Sequence, residues 1–139
     1  MFPKPPPLRS ERQAKRRTRT AAERKAKKAA KLRDRNRCRW PRCRCHFDKE
    51  PLESAHWRGK GIGGDHGLRS HSENLITLCR DRHQGYVSLH SGDLRIAPLT
   101  DETMDGPCEF YRRERTYGAF ADEGTWVLEG REVVIGRLE

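Results

Sequence analysis

"SAHWRGKGIGGDHGLRSHSENLITLCRDRH", residues 54–83, gathers four of the chain's six histidines, a run of glycines and one cysteine into thirty positions. A turn-rich surface segment, a zinc-binding fold and an enzymatic centre are the competing readings. On its N-terminal side, "PLESAHW" (51–57) reads as a short strand, with Leu52 and Ser54 facing one way and Glu53 and Ala55 the other. "GKGIGGDHGLRSHS" (59–72) holds too many glycines and polar residues for a regular element and is expected to be a loop. In "SENLITLCRDRHQGYVSLH" (72–90), Ser72 can cap a helix carrying Leu75, Leu78, Cys79 and Arg82 at three- and four-residue spacing. A helix starting nearer Thr77 is equally compatible.

Upstream, "CRWPRCRC" (38–45) is a cysteine-rich turn, and compact structure is expected to begin near Cys38. The preceding "SERQAKRRTRTAAERKAKKAAKLRDRNR" (10–37) is rich in Ala, Lys and Arg but has no apolar stripe. It predicts a fluctuating helix with too little apolar surface to dock on a core. Residues 1–10, with four prolines, should be extended. Downstream, "GDLRIAPL" (92–99) and "TWVLEGREVVIGRL" (125–138) alternate like strands, and Glu129-Gly130 suits a hairpin turn. The expected organisation is an arm over 1–37, a central domain over 38–97 and a β-rich accessory extension over 98–139.

The chain carries a net charge of +10, and its pI is near 9.8. Residues 1–37 hold fifteen Lys and Arg against three acids, whereas 38–139 hold fifteen against seventeen, so the basic excess is entirely N-terminal. Such an arm is expected to bind polyanions, DNA or RNA by default, through Arg16, Arg17, Arg24, Lys27 and Lys28. Only 33% of residues are hydrophobic, so the core must be small. No stretch approaches the roughly 20 apolar residues of a membrane span, and "MFPKPPPLRS" lacks the apolar region of a signal peptide. A reduced, cytoplasmic setting is expected, in which clustered cysteines bind metal more often than they form disulfides.

A structural zinc ion takes four tetrahedral ligands. Cys38, Cys43, Cys45 and Cys79 form the expected set, with His46 or Cys108 as substitutes. A pair of regular CxxC motifs is absent, because Arg82 stands three residues after Cys79. A metal staple suits a domain with so little apolar content.

Phosphodiester hydrolysis needs a base for water, a divalent ion and groups that hold both in place. His56, at a strand end, suits the base. Asn74 can bind backbone groups across the long loop and lock its shape. His83, nine residues on, can bring an imidazole to a metal beside His56. Arg58 and Lys60 are candidate phosphate contacts, and Gly59, Gly61, Gly63 and Gly64 permit close backbone approach.

"LESAHW", "GKGIGG" and "ENLITLCRDRH", in that order, resemble the His-Asn-His (HNH) endonuclease family, over about residues 38–97. "CRWPRCRC", "SAHWRGKGIGG" and "LCRDRHQGYVSLHSGDLR" look most like the small HNH proteins of bacteriophage and prophage genomes. The resemblance implies an α+β fold with a ββα-metal core, DNA as substrate, and Mg²⁺ or Mn²⁺ as the catalytic ion beside a structural Zn²⁺. It also implies His56 as general base, Asn74 as the loop-fixing residue and His83 as ligand of the divalent ion. Phage packaging or recombination proteins are further candidate partners, and a phage-encoded chain would act in the cytoplasm of a bacterial host. Ala55 stands where many relatives carry a second metal-binding Asp or His; Glu53, Asp65 and His90 are the neighbours that could compensate, and none is singled out. The alternative expectation is a non-catalytic, zinc-stapled nucleic-acid-binding protein or a phage assembly factor.

Overall fold

The structure, a computed structural model, describes residues 9–58, 71–114 and 124–139. It is a mixed α+β fold. Helix α1 (Arg9–Arg33) leads to strand β1 (Leu52–His56), a single 3₁₀ turn (Ser72–Asn74), strand β2 (Leu75–Cys79) and the short helix α2 (Arg80–Gln84). Strands β3 (Leu94–Pro98), β4 (Cys108–Glu114), β5 (Thr125–Val134) and β6 (Arg137–Leu138) follow. β1 and β2 form an antiparallel pair, with Ala55 opposite Ile76 and His56 opposite Leu75. The other four strands form an antiparallel meander in chain order. Among the described residues, no helix is long and apolar enough to cross a membrane.

The segment expected to be helical from Ser72 is extended over Leu75–Cys79, and the helix is confined to Arg80–Gln84. All five residues of β2 are buried. A strand covered on both faces has no polar alternation, so its apolar run imitates a buried helix. β-branched Ile76 and Thr77 favour the extended form.

One cover of β2 is α1. Ala26 and Ala30 are buried against Leu75, which corrects the expectation that this basic segment cannot dock. Alanine's small side chain lets the helix backbone approach β2 closely, so two residues suffice where a larger apolar stripe was sought. The helix begins at Arg9, two residues earlier than an extended stretch over 1–10 allows, and residues 1–8 lie outside the described set. Arg33 fixes the docked end: it donates to Ser72 O at 2.9 Å and Leu75 O at 2.5 Å, and pairs with Asp105 at 2.8 Å. Compact structure therefore begins within α1 rather than at Cys38.

The second cover of β2 comes from the C-terminal meander. Trp40, Ala55, Ile76 and Leu78 share one core with Leu94, Ile96, Met104, Cys108 and Phe110. Trp40 meets Phe110 edge to face at 5.3 Å. The meander thus completes the core instead of forming an accessory extension, and a boundary at residue 97 would cut β3. Nor does the chain turn at Glu129-Gly130. β5 continues through, with a bulge at Glu129 opposite Phe110 and Tyr111, and the reversal comes at Gly136, whose φ of 77° is left-handed. Gly130 serves another need: a Cβ there would lie 2.8 Å from Pro41 Cγ. Glycine allows the cysteine-rich turn to rest on β5.

Polar side chains knit these parts together. Arg39, 4% exposed, donates to Glu132 at 2.6 Å, Met104 O at 2.6 Å and Gly106 O at 2.8 Å. Glu132 also accepts from Cys108 N at 3.0 Å and Gly136 N at 2.6 Å. Asp34 accepts from Thr77 N at 2.9 Å, joining the end of α1 to β2. Removing one member of such a buried pair leaves an uncompensated charge, at a cost of about 3–5 kcal/mol. Glu132→Ala is therefore expected to lower unfolding free energy by about that much in a urea titration, whereas the paired replacement Arg39→Met with Glu132→Leu should cost less.

Candidate metal centre and active site

The Sγ atoms of Cys38, Cys43, Cys45 and Cys79 all lie within 4.8 Å of one another. Local turns bring them there. Just past α1, two left-handed residues, Arg35 and Asn36, redirect the chain towards Cys38. Trp40–Cys43 then closes a turn with Cys43 N on Trp40 O at 3.3 Å, with Pro41 second and left-handed Arg42 third. Cys79 comes from the last position of β2. Arg39 N on Thr77 O, at 3.0 Å, holds the turn beside that strand.

These cysteines are not paired as disulfides. The Cys43–Cys79 sulfur separation is 3.7 Å. Tetrahedral Zn–S bonds of about 2.3 Å require sulfurs roughly 3.8 Å apart, so the geometry and the all-thiol donor set both fit a structural zinc ion. Charge agrees. Hydrogen bonding from Cys38 and Cys79 holds the Cys43 thiol well below its ordinary range, while hydrogen bonding to Cys43 and Cys79 raises Cys38. Burial and Cys43 push Cys45 up to about 12. Hydrogen bonding to Cys38 lowers Cys79, but Cys43 and burial outweigh it. The pocket accommodates one thiolate easily; further ones need a cation.

Arg82 occupies the place where a second-pair ligand was sought. Its guanidinium lies 5.8 Å from the Trp40 ring centre, and it helps to stabilise the Cys43 thiolate. Neither suggested substitute joins the cluster: exposed His46 stacks on Phe47, and Cys108 lies in the core beside Arg39. Burial pushes the Cys108 thiol up to about 11. With zinc bound, iodoacetamide at pH 7 is thus expected to spare the four clustered thiols and buried Cys108, and to reach all five once a chelator strips the metal and the fold opens. Peptide mass mapping with and without the chelator reads this difference.

At the other end of the β1–β2 pair, Asn74 is buried, and its carboxamide grips a single residue sixteen positions earlier. Oδ1 accepts from Arg58 N at 2.8 Å, and Nδ2 donates to Arg58 O at 3.1 Å. Trp57 N donates to Asn74 O at 2.8 Å. The chain leaving His56 is therefore held to the start of β2 by three hydrogen bonds.

His56 is half-buried at the end of β1, on the face that pairing opposite Leu75 assigns to α1. The alternation turns Glu53 and Ala55 towards α2. Ala55 itself is fully buried in the core. His83 Nδ1 lies 3.0 Å from Glu53 Oε1, and its ring meets His90 edge to face at 4.5 Å. Burial opposes ionisation of Glu53, yet hydrogen bonds from His83, Gln84 and Arg80 hold its carboxyl below the usual range. The contacts recorded for His83 are thus with Glu53 and His90, and the four cysteines form the only cluster of three or more metal-binding side chains among the described residues.

The expected nucleic-acid contacts divide. Arg16, Arg17, Arg24 and Lys28 are exposed on α1, while Lys27 is half-buried and pairs with Glu23 at 3.2 Å. Arg58 lies 4.9 Å from the Trp57 ring centre and is ion-paired with Glu102. Lys60, Gly59, Gly61, Gly63, Gly64, Asp65 and His66 lie outside the described residues. Sequence reasoning passed over Arg39 and Glu132, and left Glu53 undistinguished from other acids. Its position, three before His56 and on the face of α2, is the signal that could have selected it.

Comparison with protein-family models, curated proteins and solved structures finds no match for this chain.

Proposed function

We propose that this protein is a metal-dependent HNH-type endonuclease that hydrolyses DNA phosphodiester bonds and carries a structural zinc ion on Cys38, Cys43, Cys45 and Cys79. The observation that carries this reading is the strand–strand–helix order of β1, β2 and α2, with the Asn74 carboxamide gripping Arg58 two residues beyond His56. That grip fixes the backbone next to the base, which is the role the Asn of such a centre must perform.

In the proposed reaction His56 takes a proton from water, whose oxygen forms a bond to phosphorus in line with the breaking P–O3′ bond. The leaving oxygen is protonated from solvent, giving 5′-phosphate and 3′-hydroxyl ends. A divalent ion held by His83 would supply electrostatic stabilisation of the phosphate and the leaving oxygen. A neutral imidazole with one nitrogen turned to Glu53 and the other unprotonated is a suitable ligand for Mn²⁺ or Mg²⁺. The exposed basic side chains of α1 supply attraction to the phosphate backbone without regard to sequence.

Purified protein is expected to nick supercoiled plasmid with Mg²⁺ or Mn²⁺ and to stop when EDTA is added. Ala55 favours a second reading, since a buried methyl group occupies the place of a second ligand. In that reading the protein is a zinc-stapled DNA-binding module, and retained DNA binding without ion-dependent nicking would replace the nuclease assignment.

A further inference from the structure

We propose that Glu53 is a positioning residue that fixes the His83 ring with Nε2 presented to a divalent cation. The proposal rests on the reading of His83 as the ion's ligand. A carboxylate can only accept a hydrogen bond, so its 3.0 Å contact with His83 Nδ1 selects the tautomer protonated at Nδ1. The lone pair then resides on Nε2. Glu53 is itself held by further donors, Gln84 Nε2 on Oε1 at 2.6 Å and Arg80 Nε on Oε2 at 3.3 Å.

Both carboxylate oxygens are thus engaged by protein donors, which makes Glu53 an orienting group and not a chelating one. The second side of the imidazole is fixed independently. His90 packs its ring against His83 at an interplanar angle of 81°, and its backbone N donates to His83 O at 3.0 Å. A histidine clamped in this way loses little freedom when it takes up an ion. The carboxylate also increases the donor strength of Nε2. Glu53 in this way compensates for Ala55 through His83, without entering the ion's own shell.

Long-range ¹⁵N NMR of the imidazoles and Mn²⁺ titration followed by electron paramagnetic resonance test the proposal on the full chain. Wild-type His83 is expected as the Nδ1–H form, and Glu53→Ala should release it to a mixture while weakening Mn²⁺ binding by about 10- to 100-fold. Glu53→Gln, which keeps an acceptor oxygen without the charge, should retain the tautomer and lose less affinity. Zinc content and circular dichroism establish that each variant is folded, and Glu53→Leu, which fills the same space without an acceptor and should release the tautomer likewise, decides the matter if the Ala variant is not. An unchanged tautomer or unchanged Mn²⁺ affinity in Glu53→Ala overturns the proposal. If His83→Ala abolishes Mn²⁺ binding while Glu53→Ala leaves it intact, only the role of Glu53 falls. Mn²⁺ binding that is absent in wild type, or indifferent to His83→Ala, removes the ion site itself and the proposal with it.

Discussion

Replacing His56 with alanine is expected to reduce DNA cleavage by about 10²- to 10⁴-fold, the usual contribution of a positioned general base, with DNA affinity nearly unchanged. The separation follows from placement. His56 is a half-buried side chain at the end of β1, while the exposed basic residues proposed to attract phosphate lie along α1. Removing one imidazole would therefore take away the proposed proton acceptor without altering that charge. The neighbouring backbone should survive, because the Asn74 grip is on Arg58 and the strand register depends on main-chain pairing. Single-turnover cleavage of plasmid at saturating protein, with binding followed by fluorescence anisotropy at fixed salt, measures both quantities. Substantial residual cleavage by the variant would remove the base role from His56.

Withdrawal of zinc, or the substitution Cys79→Ser, is expected to unfold the cysteine-rich turn and to carry the core with it. Structural zinc contributes about 10–16 kcal/mol in small zinc-dependent folds, against a typical total stability of about 5–15 kcal/mol. Cys38, Cys43 and Cys45 lie in irregular backbone beside left-handed Arg35, Asn36 and Arg42, and an ion tying them to Cys79 of β2 would hold that backbone in place. Trp40 lies within this turn, buried against Phe110. Near-ultraviolet circular dichroism should consequently collapse as a chelator strips the metal, in step with zinc released to a colorimetric indicator. An identical unfolding midpoint with and without zinc would show that the cysteines are not the staple.

The readability of the sequence followed the length scale of each interaction. Cys38, Cys43, Cys45 and Cys79 could be nominated together because thiols are scarce and their chemistry is specific, and the structure gathers those four. The strand containing Ala55 and His56 showed in its alternation, as did β3 and β5. β2 did not, since burial on both faces erases the alternation that distinguishes a strand. Docking of α1 was hidden because Ala26 and Ala30 act through smallness, which hydropathy patterning undervalues. Gly130 was mistaken for a turn residue because a glycine needed for close approach looks the same in sequence as one needed for a left-handed φ. Arg39 had no local mark at all among so many arginines; its importance lies in Glu132, ninety-three residues away.

That last separation bears on the order in which the protein can be made. A ribosome releases α1, the cysteine turn and both central strands well before Glu132 emerges, so Arg39 must wait in water for the partner that accompanies it into the interior. Until β3 and β4 are synthesised, Ile76, Leu78 and Trp40 also lack the lid formed by Phe110 and its neighbours. The nascent chain at that stage presents a basic rod, reduced thiols and an open apolar face. Folding is thereby deferred until Glu132 has emerged, and a ribosome-bound chaperone or an early zinc ion would guard the interval.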